Sequence, residues 1–378
     1  MVRVHLYTCQ KLLFYYQTKG VDEFPEDLLK IITKYLMVPF YISACSQLGL
    51  EKDEELIKKL LKKQEEKADK IRDKIKYAEK NYGDSEVTDA KHKLIKLYIA
   101  ATEGEKAQEV EKEVNLEKMA TKLRFDVAIY HASIALCTLN LSSLKHFISK
   151  AELLKEHIDY QRKNKLSLFR GLFALITRDF STAATTFLEC LPTFDSDDVI
   201  THKELVMYAV ISSLVGLDRK ELISKCAKCS DVLAILPRIP LLETILNGIV
   251  ECKYDGILGN LVNLSDSVMK WDPLLVTHRF YFFDHVRSRA FSQFLFAFRT
   301  VRIEVMAGVF TITEDMLVRE LMRLIVCGRL AARINETSGC IETIRMLKKG
   351  MLTQELMEKA SELTEKVERL AKAVVLEW

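Results

Sequence analysis

Between residues 87 and 301 one pattern recurs: two amphipathic helical stretches, a short joint, then two more. Residues 118–139 and 142–156 make one pair, with Asn140 at the joint. Residues 164–177 and 181–190 make a second, joined by Arg178-Asp179-Phe180 and closed by Pro192. Residues 201–215 and 219–230 make a third, turning at Gly216-Leu217-Asp218, followed by 240–252 with 254–269 and by 278–285 with 289–301. Such a pair buries its apolar stripe only against neighbouring pairs, so the repetition dictates a stacked array. In the second pair, Gly171, Ala183, Phe187 and Cys190 hold the small and large packing positions of a tetratricopeptide-like (TPR-like) unit. The other pairs match that pattern poorly, and the period is on the order of 40 residues against about 34 for the standard repeat. The expected fold is mainly α, a right-handed and degenerate TPR-like helical-repeat solenoid. With only 13 Gly and 6 Pro in 378 residues, the chain has few breakers, which suits long helices and short turns.

The pattern changes at 301–344, which reads helix, turn, helix, then a two-stranded hairpin, the signature of a winged helix. Thr313 is placed to cap a helix whose first turn carries Glu314 and Asp315, where the helix dipole favours acid. Met316, Leu317, Leu321, Leu324 and Ile325 recur at helical spacing as its apolar face. Gly328 follows the last periodic residue, where a left-handed cap is expected. Leu330, Ala332 and Ile334 alternate with Ala331 and Arg333 as a half-buried strand, residues 335–339 (NETSG) turn, and residues 340–344 return. Winged helices often read DNA through their second helix. Here Glu314, Asp315 and Glu320 stand against Arg319 and Arg323, a face poorly suited to phosphate.

After a break near Gly350, Thr353 is expected to start a last helix. Leu356, Ala360, Leu363, Val367, Leu370 and Val374 step by four and three without a miss. That is a coiled-coil seam, narrower than the stripe of a helix facing its own core, and it favours partner helices over packing back on its own domain. A second heptad runs through the Lys- and Glu-rich stretch 53–82 on Ile57, Leu61, Ala68, Ile71, Ile75 and Ala78, with polar Gln64 in one seam position. Two readings stay open for it: a helix lying along the array or against a partner, and a solvated charged helix with one packed edge. Residues 1–50 read as short helices interrupted at Pro25 and Pro39.

Little in the chain carries chemistry. The net charge of +3 sets up no field that demands nucleic acid or anionic membrane. Neither a signal-peptide run nor a stretch of transmembrane length is visible, and the nine scattered cysteines read as reduced, buried thiols of an intracellular protein. Cys226-Ala-Lys-Cys229 is a CxxC without the second ligand pair zinc needs or the βαβ context of a redox site. His278 and His285 are expected on one side of a helix, two turns apart and without acidic companions. No HExxH, phosphate-binding glycine loop or nucleophile elbow occurs. The aromatics at 280–283 and at Phe291, Phe294, Phe296 and Phe298 could stack bases, but their helical spacing favours a core. No catalytic residue, metal or cofactor is expected.

A helical-repeat array ending in a winged helix is the arrangement of PCI domains. The stretches 78–90 (AEKNYGDSEVTDA), 162–189 (RKNKLSLFRGLFALITRDFSTAATTFLE), 289–295 (RAFSQFL) and 319–334 (RELMRLIVCGRLAARI) resemble the PCI subunits of the 26S proteasome lid, the non-ATPase regulatory subunit 6 family. The likeness runs in order from about residue 40 onward, and subunit 1 of the COP9 signalosome is a close cousin that shares several of these motifs. The resemblance implies a non-catalytic scaffold whose winged modules join side by side by strand pairing and whose C-terminal helices gather in a bundle. By position, Arg329, Leu330, Ala332, Ile334, Ile341 and Thr343 would lie on the pairing strands. Leu356, Ala360, Leu363, Val367, Leu370 and Val374 would form the bundle helix. It also implies other PCI lid subunits as partners, with the ATPase ring and the metal-dependent deubiquitinase as further ones, and a cytoplasmic and nuclear location. Neither nucleic acid nor membrane is expected as a partner. The expected divisions are 1–85 for N-terminal helices including the charged one, 86–276 for the repeats, 277–350 for the PCI end with its winged helix, and 351–378 for the bundle helix. A signalosome or initiation-factor PCI subunit, and a nucleic-acid-binding winged-helix protein, remain as alternatives.

Overall fold

In a computed structural model of the protein, the described residues are 6–20, 23–81, 83–113, 120–194, 199–335, 337–344 and 348–376. They fold as two units, one of Met1–Lys253 with Ile257–Val286, the other of Tyr254–Gly256 with Arg287–Trp378.

The first unit is a run of packed helices. Glu54–Asn81 lies on Asp84–Ala100, and the chain continues through Gly104–Glu113, Thr121–Cys137, Leu141–Glu152, Tyr160–Ile176, Phe180–Cys190 and His202–Gly216, each against its predecessor or the next. Local chemistry sets the ends. Asn140 and Asp179 each accept a backbone N–H across the first turn of the following helix, and Thr201 with Glu204 forms a reciprocal capping box. His202–Gly216 is buried on nearly every side, from Leu205 through Val215. A helix apolar all round belongs in the middle of an array; its polar Ser213 satisfies itself on the Ala209 carbonyl at 2.6 Å.

Close helix approach depends on glycines, Gly171 and Gly216 among them. A Cβ at Gly171 would stand 2.6 Å from the Phe187 ring, which explains that small-and-large pair. A Cβ at Gly216 would stand 2.4 Å from the backbone carbon of Phe180, so this glycine permits backbone contact as well as ending its helix. Backbone cannot rotate away as a side chain can. Gly216→Ala is therefore expected to destabilise the first unit by about 1–3 kcal/mol. Gly259→Ala, at an open helical position, should instead stabilise by up to about 1 kcal/mol. Urea unfolding of both variants checks this, and equal effects would refute the close-approach argument.

The charged helix Glu54–Asn81 lies along the array. Leu60, Gln64, Ala68, Ile75 and Ala78 are buried, and Ile57, Leu61 and Ile71 pack beside them. Its heptad is thus consumed inside the unit. The N-terminal helix Leu6–Lys19 does something a one-dimensional array does not require. It packs on Thr121–Cys137 and on the turn Met269–Trp271, bringing Tyr7 and Lys11 to residues more than 190 positions away. Tyr7 and Lys11 meet Tyr208, Glu204 and Asp272 there. Asp272 accepts from the Tyr208 hydroxyl at 2.6 Å, the Tyr7 hydroxyl at 3.3 Å, the Leu274 amide at 3.0 Å and the Lys11 ammonium at 3.1 Å. Burial, and then the Asp272 charge, push both tyrosine pKa values well above the ordinary range, so both hydroxyls stay donors.

Three expectations about the helices need correction. Residues 278–285 and 289–301 do not form two helices: Arg279–Ala297 is continuous, because nothing between His285 and Arg289 breaks it. Residues 219–230 are not one helix either; Arg219–Glu221 passes into a π-helical turn, Leu222–Ala227, and a short helix restarts at Ser230. The last helix begins at Lys348 and runs through Gly350 to Leu376.

The second unit has its own aromatic core, in which Phe310 meets Phe291 at 4.7 Å, Tyr254 at 5.1 Å and Phe294 at 5.6 Å between ring centroids. Phe296 lies outside it, 79% exposed. Around this core stand the helices Ile303–Phe310 and Glu314–Val326 and a sheet of three strands: β1 (Thr300–Arg302), β2 (Ala332–Asn335) and β3 (Cys340–Thr343). The strand order is β1-β3-β2, with both pairings antiparallel. The hairpin therefore has a third strand that the sequence reading assigned to a helix.

Candidate assembly surfaces

The strand order decides which parts of the wing can pair with another chain. β3 lies in the middle, its Ile341 facing Val301 on one side and Ile334 on the other. Ile341 and Thr343 thus sit on a strand whose two edges are both occupied, a correction to the expectation that both hairpin strands offer an edge. β2 is an edge strand among the described residues. The Ile344 amide donates to the Ala331 carbonyl, which fixes the alternation of the ladder. Two-residue periodicity then turns the backbone groups of Arg333 and Asn335 towards β3 and those of Ala332 and Ile334 outward. Those two residues carry the open edge. Arg329 and Leu330 precede the strand: both amides return to the Leu324 carbonyl, at 2.9 and 3.2 Å, beside Gly328 in its left-handed conformation at φ 69°.

The second helix of the wing presents a face that the sequence pattern placed differently. Leu317, Leu321 and Leu324 are buried as expected, but Met316 is exposed, with Met322 and Val326. Glu320 is occupied by Arg287 at 2.8 Å and Arg323 at 3.4 Å. The outward surface is thus a mixture of methionine, valine and offset charges, chemistry that suits protein better than phosphate.

The last helix leaves its seam uncovered. Leu356, Leu363 and Leu370 are 61%, 66% and 65% exposed, Val367 is 57% exposed, and Ala360 is exposed with them. Every described side chain from Leu352 to Lys372 is exposed. The backbone of Val374 continues the helix, and its side chain lies outside the described residues. Leu356, Leu363, Val367 and Leu370 thus stand in water along one line of a long helix.

Cys226 is buried, with its thiol pushed up to about 11, a poor nucleophile and metal ligand. Among the described residues no group of three or more His, Cys, Asp or Glu could hold a metal ion. His278 ends a 3-10 turn ahead of the helix that carries His285, and its Nδ1 accepts from Arg178 at 3.2 Å. Burial lowers its pKa and keeps the ring neutral. A cleft of about 560 Å³ is lined in part by Glu111, His146, Phe147 and Lys150. Hydrogen bonding from His131, opposed by burial and supported by Lys150, holds Glu111 at about 2, far from the range of an acid or base working at neutral pH. Among the described residues, no helix is long and apolar enough to cross a membrane.

Residues 53–225 match the family described as 26S proteasome subunit RPN7, and residues 267–345 match the PCI domain. A 26S proteasome non-ATPase regulatory subunit 6 homolog of Arabidopsis thaliana is 30% identical over 351 residues, covering 93% of this chain and 90% of that protein. The subunit 6 protein of Oryza sativa subsp. japonica is 29% identical over 378 residues, covering 98% and 97%. Subunit 1 of the COP9 signalosome complex of Arabidopsis thaliana is 26% identical over 191 residues, covering 50% of this chain and 43% of that protein. The likeness to subunit 6 proteins thus extends over both units, and the chain belongs to the 26S proteasome non-ATPase regulatory subunit 6 family.

Proposed function

We propose that this chain is a non-catalytic scaffold subunit of the proteasome regulatory-particle lid, supporting ubiquitin-dependent protein degradation. It joins lid subunits carrying the same PCI module through the outward edge of β2 at Ala332 and Ile334. It enters a helical bundle through Leu356, Ala360, Leu363, Val367, Leu370 and Val374. The observation that carries this reading is the uncovered leucine seam of the last helix, on the same unit as an open strand edge. Main-chain pairing at such an edge supplies affinity, and the seam supplies apolar burial. The ATPase ring and the metal-dependent deubiquitinase are further partners in the same assembly, in cytoplasm and nucleus. A scaffold role accords with the buried Cys226 thiol, with His278 engaged by Arg178, and with Glu111 held ionised at neutral pH.

Mass spectrometry of proteins retained with the tagged full chain distinguishes the readings. The expected result is a stoichiometric set of PCI-bearing proteasome subunits. Recovery of signalosome subunits instead would favour the second reading, which rests on a match covering half the chain. Salt-sensitive retention on duplex nucleic acid, without such subunits, would contradict both.

A further inference from the structure

The chain carries two heptads, and its own core covers only one of them. The seam of Glu54–Asn81 is consumed inside the first unit, whereas Leu356, Leu363, Val367 and Leu370 of the last helix stay exposed. The open seam has a definite chemistry. Its steps of four and three place Leu356, Leu363 and Leu370 at d positions, and Ala360, Val367 and Val374 at a positions. Leucine at d with β-branched valine at a favours two parallel strands over three or four.

The flanking positions select the orientation and permit an identical partner. The e positions hold Met357, Thr364 and Ala371, none of them charged. The g positions hold Lys359, Lys366 and Ala373. In a parallel pair of identical helices each g faces the e of the next heptad, so Lys359 would meet Thr364 of the other copy and Lys366 would meet its Ala371. No like charges oppose there. In an antiparallel pair g faces g, and the two lysine rows would repel. The acids Glu358, Glu362, Glu365 and Glu368 fall on the outer b, c and f positions, all exposed, with Glu365 held by Arg369 at 2.6 Å.

We infer that the free chain covers this seam with a second copy of itself, as a parallel two-stranded coiled coil over residues 356–374. The area available sets its strength. Burial of a leucine or valine removes roughly 60–120 Å² of apolar surface, so the five large seam positions of two copies bury about 600–1,200 Å². That is the range of weak, reversible interfaces, with dissociation in the order of 1–100 µM. The uncharged e positions add no ion pairs that would tighten it. Such a dimer shields the leucines of unassembled chain and uses the same surface as the bundle proposed above. The exchange of one for the other rests on that proposal; the dimer itself does not.

The test is sedimentation velocity of the full chain from about 0.5 to 200 µM, which spans that range. Mass should rise from monomer towards dimer. A variant with Leu363→Glu and Leu370→Glu, both at exposed sites, should keep its unfolding temperature at low concentration and lose at least about a hundredfold in self-affinity. Orientation is read from Leu356→Cys and Leu370→Cys chains, each in a background with the exposed Cys252 and Cys327 changed to serine. Mixed and oxidised with diamide, they should form 356–356 and 370–370 links, identified by peptide mass spectrometry. A monomer at every concentration would overturn the inference, as would dimers that survive the double glutamate variant. Predominant 356–370 links would overturn the parallel arrangement, and a trimer or tetramer mass would overturn the choice of a single second copy.

Discussion

Asp272→Ala is expected to lower the stability of the first unit by about 3–5 kcal/mol, the cost of removing one partner from a buried, hydrogen-bonded ion pair. The carboxylate is 7% exposed and holds four donors at once: Tyr7, Tyr208, Lys11 and the Leu274 amide. Removing it leaves the two buried hydroxyls with only each other, at 3.2 Å, and weakens the hold on Lys11, whose other carboxylate, Glu204 at 2.8 Å, is more exposed. Asp272→Asn keeps the size but loses the charge and one acceptor oxygen, so an intermediate loss is expected. The effect also has an address. Because the cluster ties the N-terminal helix to distant residues, amide hydrogen exchange should accelerate first in Leu6–Lys19, before the central helix His202–Gly216. A loss below about 1 kcal/mol, or uniform acceleration throughout the unit, would contradict a clasp role for this cluster.

That clasp was not legible in the sequence, for a physical reason. Tyr7, Lys11, Glu204, Tyr208 and Asp272 span 265 positions, and periodicity tells which face of a helix is apolar without telling which distant face it meets. Local signals read better. Asn140, Asp179 and Thr201 mark helix starts that the structure places within a residue or two of expectation, because capping is a contact over three residues. Gly171 with Phe187 was legible as a small-and-large pair, but Gly216 was read only as a turn, since its close approach to Phe180 depends on tertiary packing. β1 was hidden because Thr300-Val301-Arg302 is too short to alternate and pairs with residues 40 positions on. With it went the knowledge that β3 is central. Met316 was misassigned for a subtler reason: it neighbours Leu317 and fits a loosely drawn helical stripe, while the buried row passes through Leu317, Leu321 and Leu324. The leucine seam was fully legible, because a regular step of four and three is a property of the chain alone. Its occupant in a larger assembly is not encoded there.

The second large effect concerns that seam. In the proposed bundle each buried leucine or valine would contribute about 1.5–3 kcal/mol, so Leu356, Leu363, Val367 and Leu370 together would supply on the order of 6–12 kcal/mol before ordering costs. Every 1.4 kcal/mol is about a tenfold change in affinity, so losing the helix removes several orders of magnitude. The same side chains contribute little to the isolated chain, where they are 57–66% exposed. The two consequences can therefore be separated in one pair of proteins.

The decisive measurement compares the full chain with a version lacking residues 353–378, scored for incorporation into the proteasome regulatory particle and, separately, for thermal unfolding of the isolated protein. Incorporation is expected to be lost while the unfolding temperature stays within about 2 °C. Unchanged incorporation would contradict the assembly role of the last helix. A collapse of the isolated protein's stability would contradict the observation that its seam is open.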